Sequence, residues 1–284
     1  MDELITLGRI EKLIEGMPDY PKEINEISKD IRNNNPDVDV IAEYILKNRI
    51  FYDVFCNFNP DLADASDKHN KLIEVVKKLD VTSLRNILFT CSIISLDTNK
   101  ISRLIIKKII MSSYICKDII EKVNFYRKTS HNPENFFLYA LFHDIGELFT
   151  AIHFPEEVEK AILRDRKNID LSCLNDIMAH NEVGYMLSKK WQLPSIFSYI
   201  CLNHNKLEYR KFTADFIYII NSIAVSDAVA LELLDYEIPF TNSWDVGHSI
   251  YKIGLREEDV YTESGIIGSA EKKIARILNL FNLK

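Results

Sequence analysis

The chain has 284 residues, 47% of them hydrophobic and 27% charged, enough for one large domain or two smaller ones with a full core. Its eight glycines amount to less than half the usual usage of about 7%, which disfavours sandwiches, barrels and glycine-cradled phosphate folds. A net charge of −7 without any long Lys/Arg run disfavours nucleic acid as the main partner.

Apolar residues recur at helical spacing throughout, and the expected fold class is all-α. A first helix runs from about Leu4 to Gly16, and Pro21 opens a second that ends at the Asn33-Asn34-Asn35-Pro36 breaker. Val38 to Lys47 and Ile50 to Phe58 follow, then an apolar stripe of Leu72, Val75, Val76 and Leu79. Thr82 is read as the cap of the next helix, which carries Leu84, Ile87, Leu88 and Cys91. A long helix covers about Ser102 to Val123. Asn132-Pro133 then launches Glu134 to Ile152 as one helix. Pro155 starts another, Leu171 to Trp191 reads as a single long helix, and Pro194 begins one ending near His204. Phe212 to Leu234 is nearly all apolar and is expected at the centre of the core. Two or three helices follow Pro239, the last from about Ser269 to Phe281.

Cys56, Cys91, Cys116, Cys173 and Cys201 are odd in number, widely spaced and without any C-x-x-C, so buried reduced thiols are expected. The N-terminus lacks a signal-peptide core. Phe216 to Leu231, interrupted by Asn221 and Asp227, reads as a buried helix too short and too polar to cross a bilayer. A cytoplasmic location without membrane attachment is expected. Lys77-Lys78, Lys107-Lys108 and Lys189-Lys190 read as solvated helix faces.

The sequence has no nucleophile elbow, dinucleotide fingerprint, H-E-x-x-H or phosphate loop; Gly265 to Ser269 reads as a turn before the last helix. One constellation stands out. His143-Asp144 lies in FFLYALFHDIGELF, where a carboxylate among apolar neighbours needs a partner. His180, His204 and Asp227 lie further on in apolar helices. Imidazoles and carboxylates converging from separate helices can hold a divalent metal that activates water or polarises a phosphate. They can equally satisfy one another as a buried polar network. His69, His131, His153 and His248 are given no role.

These residues carry a resemblance to the HDOD family, the HD-related output domains of bacterial signalling, over about residues 13–230. Met17-Pro18-Asp19-Tyr20-Pro21 is similar to its proline-rich opening, and Ile73 to Phe89 to its helix-turn-helix segment with Leu84-Arg85-Asn86. His143-Asp144-Ile145-Gly146 matches its H-D-I-G block. The stretch from His180 to Asn205 is similar to its H-x-E-V-G … W-x-L-P … I-x-x-H-H pattern, and Asp227 falls at its late Ala-Asp. The resemblance implies an N-terminal helical lobe, about 1–100, then a core like that of HD-superfamily phosphohydrolases, about 101–235, with a helical extension over 236–284.

The departures bear on chemistry. HD phosphohydrolases carry a further His on the helix before the His-Asp pair, and the matching position here is Ser112, a poor transition-metal ligand. Glu147 stands where the superfamily commonly has Lys, and Asn205 replaces the second His of a His-His pair. Asp80 stands where the family often has Gly, in a turn where left-handed backbone is expected. No catalytic residue and no cofactor are therefore expected. A vestigial cluster of His143, Asp144, His180, His204 and Asp227 is expected to be structural, or to hold Fe, Mn or Mg. The implied role is signalling through a protein partner. The N-terminal helices and the extension after Pro239 are expected as contact surfaces from their distance from the core motif, while Trp244, Tyr251 and Tyr261 there read as packing rather than interface. The alternative is a metal-dependent phosphohydrolase acting on a nucleotide or cyclic dinucleotide. A third, weaker reading is nucleic-acid binding through Leu84-Arg85-Asn86.

Overall fold

The computed structural model of the chain describes residues 7–16, 37–159, 180–205, 212–234 and 246–283. Every regular element among the described residues is a helix, in keeping with the all-α expectation. Two compact units emerge, one of Met1–Met17 with Thr98–Ile274 and one of Pro18–Asp97 with Ala275–Lys284. Helix α1 (Leu7–Gly16) belongs to the first unit. The second contains α2 (Val38–Lys47), α3 (Arg49–Phe58), a 3-10 turn at Pro60–Leu62, α4 (Lys68–Lys78) and α5 (Val81–Ile94). The chain returns to the first unit with α6 (Lys100–Arg127), α7 (Pro133–Phe142), α8 (Ile145–His153), α9 (His180–Lys190) and α10 (Ser195–Asn203). It continues with α11 (Ala214–Leu233), α12 (Val246–Ile253) and α13 (Glu257–Tyr261), and α14 (Ile266–Leu280) is divided between the units at Ile274. The Met17–Pro21 opening, the helix expected after it, Cys173 and Trp244 lie outside the described residues.

In the second unit, aspartates start α2, α4 and α5, while α3 follows Asn48 with no side-chain cap. Asp37 accepts from the amides of Asp39 and Val40, and Asp67 from that of Asn70. Asp80 accepts from Thr82 and Ser83 at 3.0 and 2.9 Å. Each satisfies amides that the first helical turn leaves free. The cap of α5 is thus Asp80 rather than Thr82. Its backbone is extended, φ −67° and ψ 153°, so the residue answers a capping need and not a left-handed turn. The caps orient apolar faces whose Ile41, Ile45, Phe51, Val54, Phe55, Leu72, Val76, Leu84 and Leu88 are buried. Leu84 and Asn86 are buried as well, so two thirds of the Leu-Arg-Asn triplet faces inward.

In the first unit, Asn99 and Ser102 form a reciprocal capping box that starts α6, a helix longer at both ends than its apolar stripe suggests. It packs along α7 and α11. Helix α11 is the one helix among the described residues long and apolar enough to cross a membrane, so the reading of this segment as too short and too polar fails on length and composition. Its Phe216, Ile219, Ile220 and Ile223 instead pack with Cys116, Ile120, Phe136, Ala140 and Ile200 in the core. Full burial of each such aliphatic or aromatic side chain contributes about 1.5–3 kcal/mol.

The helix expected over Glu134 to Ile152 is broken. Helix α7 ends at Phe142 and α8 begins at Ile145, with Asp144 between them at φ −107° and ψ 23°. This bridge-region backbone turns the chain at the buried pair His143 and Asp144. Close approach of α9 to α8 follows from Gly146: a Cβ there would sit 1.9 Å from the His180 carbonyl oxygen.

Candidate functional site

The break between α7 and α8 places His143 and Asp144 at the core of the first unit, 1% and 4% exposed. His143 Nδ1 lies 2.7 Å from the Ala140 carbonyl, and Nε2 lies 2.7 Å from Asp227 Oδ2 and 3.0 Å from Asp144 Oδ2. His204, at the end of α10, sets Nδ1 against the carbonyls of Ile200 and Cys201 and Nε2 3.0 Å from Asp144 Oδ1. His180, the first residue of α9, faces His204 with Nε2 atoms 3.3 Å apart and lies 3.8 Å from Asp144 Oδ1. The five residues picked out from the sequence therefore converge, from five helices or helix ends, on one point.

Three more side chains belong to the cluster: Lys108, Glu147 and Asn205. The Lys108 ammonium lies 2.6 Å from Asp144 Oδ2 and also bonds the Glu147 carboxylate. Its side chain is only 12% exposed, so the reading of Lys107-Lys108 as a solvated face fails for Lys108. The signal was its place on the same apolar face as the buried Ser112 and Cys116, one and two turns on. Asn205 Nδ2 lies 2.9 Å from His180 Nε2 at the exposed edge of the cluster.

Ser112 is fully buried, with its hydroxyl 2.9 Å from that of Ser226, the chain neighbour of Asp227. Ser226 spends its own proton on the Ile223 carbonyl, so Ser112 is the donor between them. His131 and His153 lie apart from the cluster, packed on the rings of Tyr218 and Phe149.

The electrostatics follow from burial opposed by partners. Burial alone would depress the basicity of Lys108, but Asp144, Glu147 and Asp227 together outweigh it and hold its pKa well above normal. His143 behaves likewise: burial lowers its pKa, while Asp144 and Asp227 raise it further, to well above an ordinary imidazole. Geometry agrees, because a backbone carbonyl and two carboxylates can only accept, and both ring nitrogens must then donate. Burial pushes Asp144 up, yet His143 and Lys108 bring it well below the usual carboxylate range. Asp227 is lowered in the same way, burial being overcome chiefly by His143. His180 is pulled down to about 4, mainly by burial. Glu147 is pushed up to about 7 by burial, despite Lys108. With 31% of its side chain still exposed, water tempers that shift.

His143, Asp144 and His204 offer ligand atoms all within 4.8 Å of one another, a triad compatible with a divalent metal site. Nδ1 of each imidazole is anchored on backbone carbonyl with Nε2 turned inward, the orientation that ligating histidines take. Asp227 Oδ1 is buried without a hydrogen-bond partner among the described residues, an acceptor that a cation would satisfy. In kind the residues fit such an ion. In charge they are already largely balanced, since Lys108 and His143 stand against Asp144 and Asp227.

The model of the HDOD domain matches residues 17–207, and the chain belongs to that family. No curated protein matches it. Among solved structures it is similar to an HDOD domain protein of unknown function from Geobacter sulfurreducens, with 21% identity and a TM-score of 0.62 over 96% of this chain and 93% of that one. It is also similar to a protein provisionally named a phosphohydrolase, from Shewanella amazonensis SB2B, with 14% identity and a TM-score of 0.60 over 96% and 95% of the two chains. These likenesses concern the fold.

Proposed function

We propose that this protein is a non-catalytic regulatory module of bacterial signalling that acts by binding a protein partner, with its buried His/Asp cluster serving as a structural network. The observation that carries the reading is Ser112. At the helix position where the HD enzymes it resembles have an imidazole, this chain has a fully buried hydroxyl committed to Ser226. Glu147 adds a negative charge where a phosphate-facing cation is common, and Lys108 neutralises it from within. A partner surface is supported by the aromatic side chains at the end of α6 and on α12: Phe125, Tyr126 and Tyr251 are 70%, 48% and 74% exposed. Exposed aromatic area of this kind is enriched where proteins meet.

The triad of His143, Asp144 and His204 favours a second reading, a metal-dependent phosphohydrolase. A divalent ion held there would polarise a phosphoryl oxygen or lower the pKa of a bound water. The chain's own residues would then have to orient substrate without the missing imidazole. Assays with added Mn²⁺ against phosphomonoesters, nucleotides and cyclic dinucleotides separate the two. The regulatory reading expects no turnover above that of Asp144→Asn. Turnover by the wild type that disappears in Asp144→Asn overturns it.

A further inference from the structure

The cluster holds an arrangement of charge that neither the metal reading nor the lost ligand accounts for. Asp144 is the only triad member that could bring negative charge to an ion, and both of its oxygens are engaged. Oδ1 faces His204 Nε2 at 3.0 Å, and Oδ2 faces Lys108 Nζ at 2.6 Å and His143 Nε2 at 3.0 Å. Lys108 reaches this point from α6, with its aliphatic stem buried and its ammonium also bonded to Glu147.

We propose that the Lys108 ammonium is the resident cation of this site, standing in for a divalent metal and keeping one out. An ammonium has three donors and no lone pair, so it satisfies carboxylates without ever becoming a ligand. With Lys108 and His143 on Oδ2 and His204 on Oδ1, Asp144 has no oxygen free of a donor to offer a metal. A dication brought beside the ammonium meets a like charge in a poorly screened interior. The pairing also accounts for Glu147: a second carboxylate at this depth is tolerated because the same ammonium faces it, and the pair reverses the charge pattern expected on α8. Removing the lysine charge leaves His143, Asp144 and His204 within 4.8 Å of one another, with Asp227 Oδ1 unpartnered beside them, and the inference is that this set then takes a divalent ion.

The inference deepens the non-catalytic reading and rests on it, but its readout is binding and not turnover, so the two fail separately. Chelator-treated wild type, Lys108→Met and Lys108→Met/Asp144→Asn are titrated with Mn²⁺ by calorimetry. The expected result is no tight site in the wild type, and one equivalent bound by Lys108→Met at least about a hundredfold more tightly, given a like charge removed from a buried site. That site is lost again in the double variant. Should Lys108→Met be unfolded after chelation, recovery of its helical circular dichroism on adding Mn²⁺ supports the inference, and no recovery overturns it. A folded Lys108→Met that binds no better than the wild type overturns it. So does a wild type that already takes one tight equivalent, lost in Asp144→Asn.

Discussion

Gly146 on α8 lies so close to the start of α9 that a Cβ on it would come within 1.9 Å of the His180 carbonyl oxygen and 2.7 Å of the Gly184 amide. Nothing in a packed helix pair yields that much without moving the backbone. The glycine therefore sets how near His180 comes to Asp144, and backbone approach, not side-chain preference, assembles this side of the cluster.

Gly146→Ala is expected to separate α8 from α9. The cost exceeds the usual overpacking penalty of about 1–3 kcal/mol, because backbone and not a flexible side chain is in the way. Urea unfolding checks it. A loss below 1 kcal/mol would mean that the two helices can part freely.

Asp144→Ala strips the Lys108 ammonium and the doubly hydrogen-bonded His143 of their shared carboxylate. Removing one partner from a buried ionic cluster costs about 3–5 kcal/mol, and the variant should unfold at markedly lower denaturant or fail to accumulate. A variant as stable as the wild type would show that the cluster does not hold the helices together.

Two titrations in the cluster act in opposite senses. His180 is held at about 4 against an ordinary 6.5, so stability falls as pH drops between those values, where only the unfolded chain takes up the proton. Glu147 is held at about 7 against 4.5, so stability falls as pH rises between those values, where only the unfolded chain releases it. Each slope is at most about 1.4 kcal/mol per pH unit, and the Glu147 slope is the shallower for its exposure. Relative to the wild type, His180→Gln should lose stability on going from pH 5 to 6.5, and Glu147→Gln should gain it. Denaturant melts at the two pH values read the difference, and tilts of the same sign in both variants would refute the assignment.

In the second unit, Asp80→Ala removes the acceptor for the Thr82 and Ser83 amides. A loss of about 1 kcal/mol is expected, recovered in large part by Asp80→Asn or Asp80→Ser. Equal losses in all three variants would point to a role other than capping.

Much of this was legible in the sequence, for reasons that particular residues make plain. His143, Asp144, His180, His204 and Asp227 each interrupt an apolar helical run, and a polar residue there must find a partner. Lys108 reads as solvated because a lysine in a long helix normally reaches water, and only its register with Ser112 and Cys116 marks it as inward-facing. The break at His143-Asp144 had no glycine or proline to announce it before Gly146; it comes from the tertiary demand to aim two polar side chains at one point. Thr82 offers a capping side chain at nearly the same place as Asp80, and the choice between them is made by backbone that turns extended at Asp80. Interhelical closeness at Gly146 depends on a partner helix distant in the chain, which no local pattern records.

The most direct test of the central claim, that this cluster is balanced by its own charges and works without a metal, is the transition-metal content of untagged protein purified without chelator, measured by elemental mass spectrometry. The account predicts far less than one equivalent of iron, manganese or zinc, unchanged in Asp144→Asn. Close to one equivalent, lost in Asp144→Asn, would contradict it and make the site a metal centre that assembles in spite of Lys108.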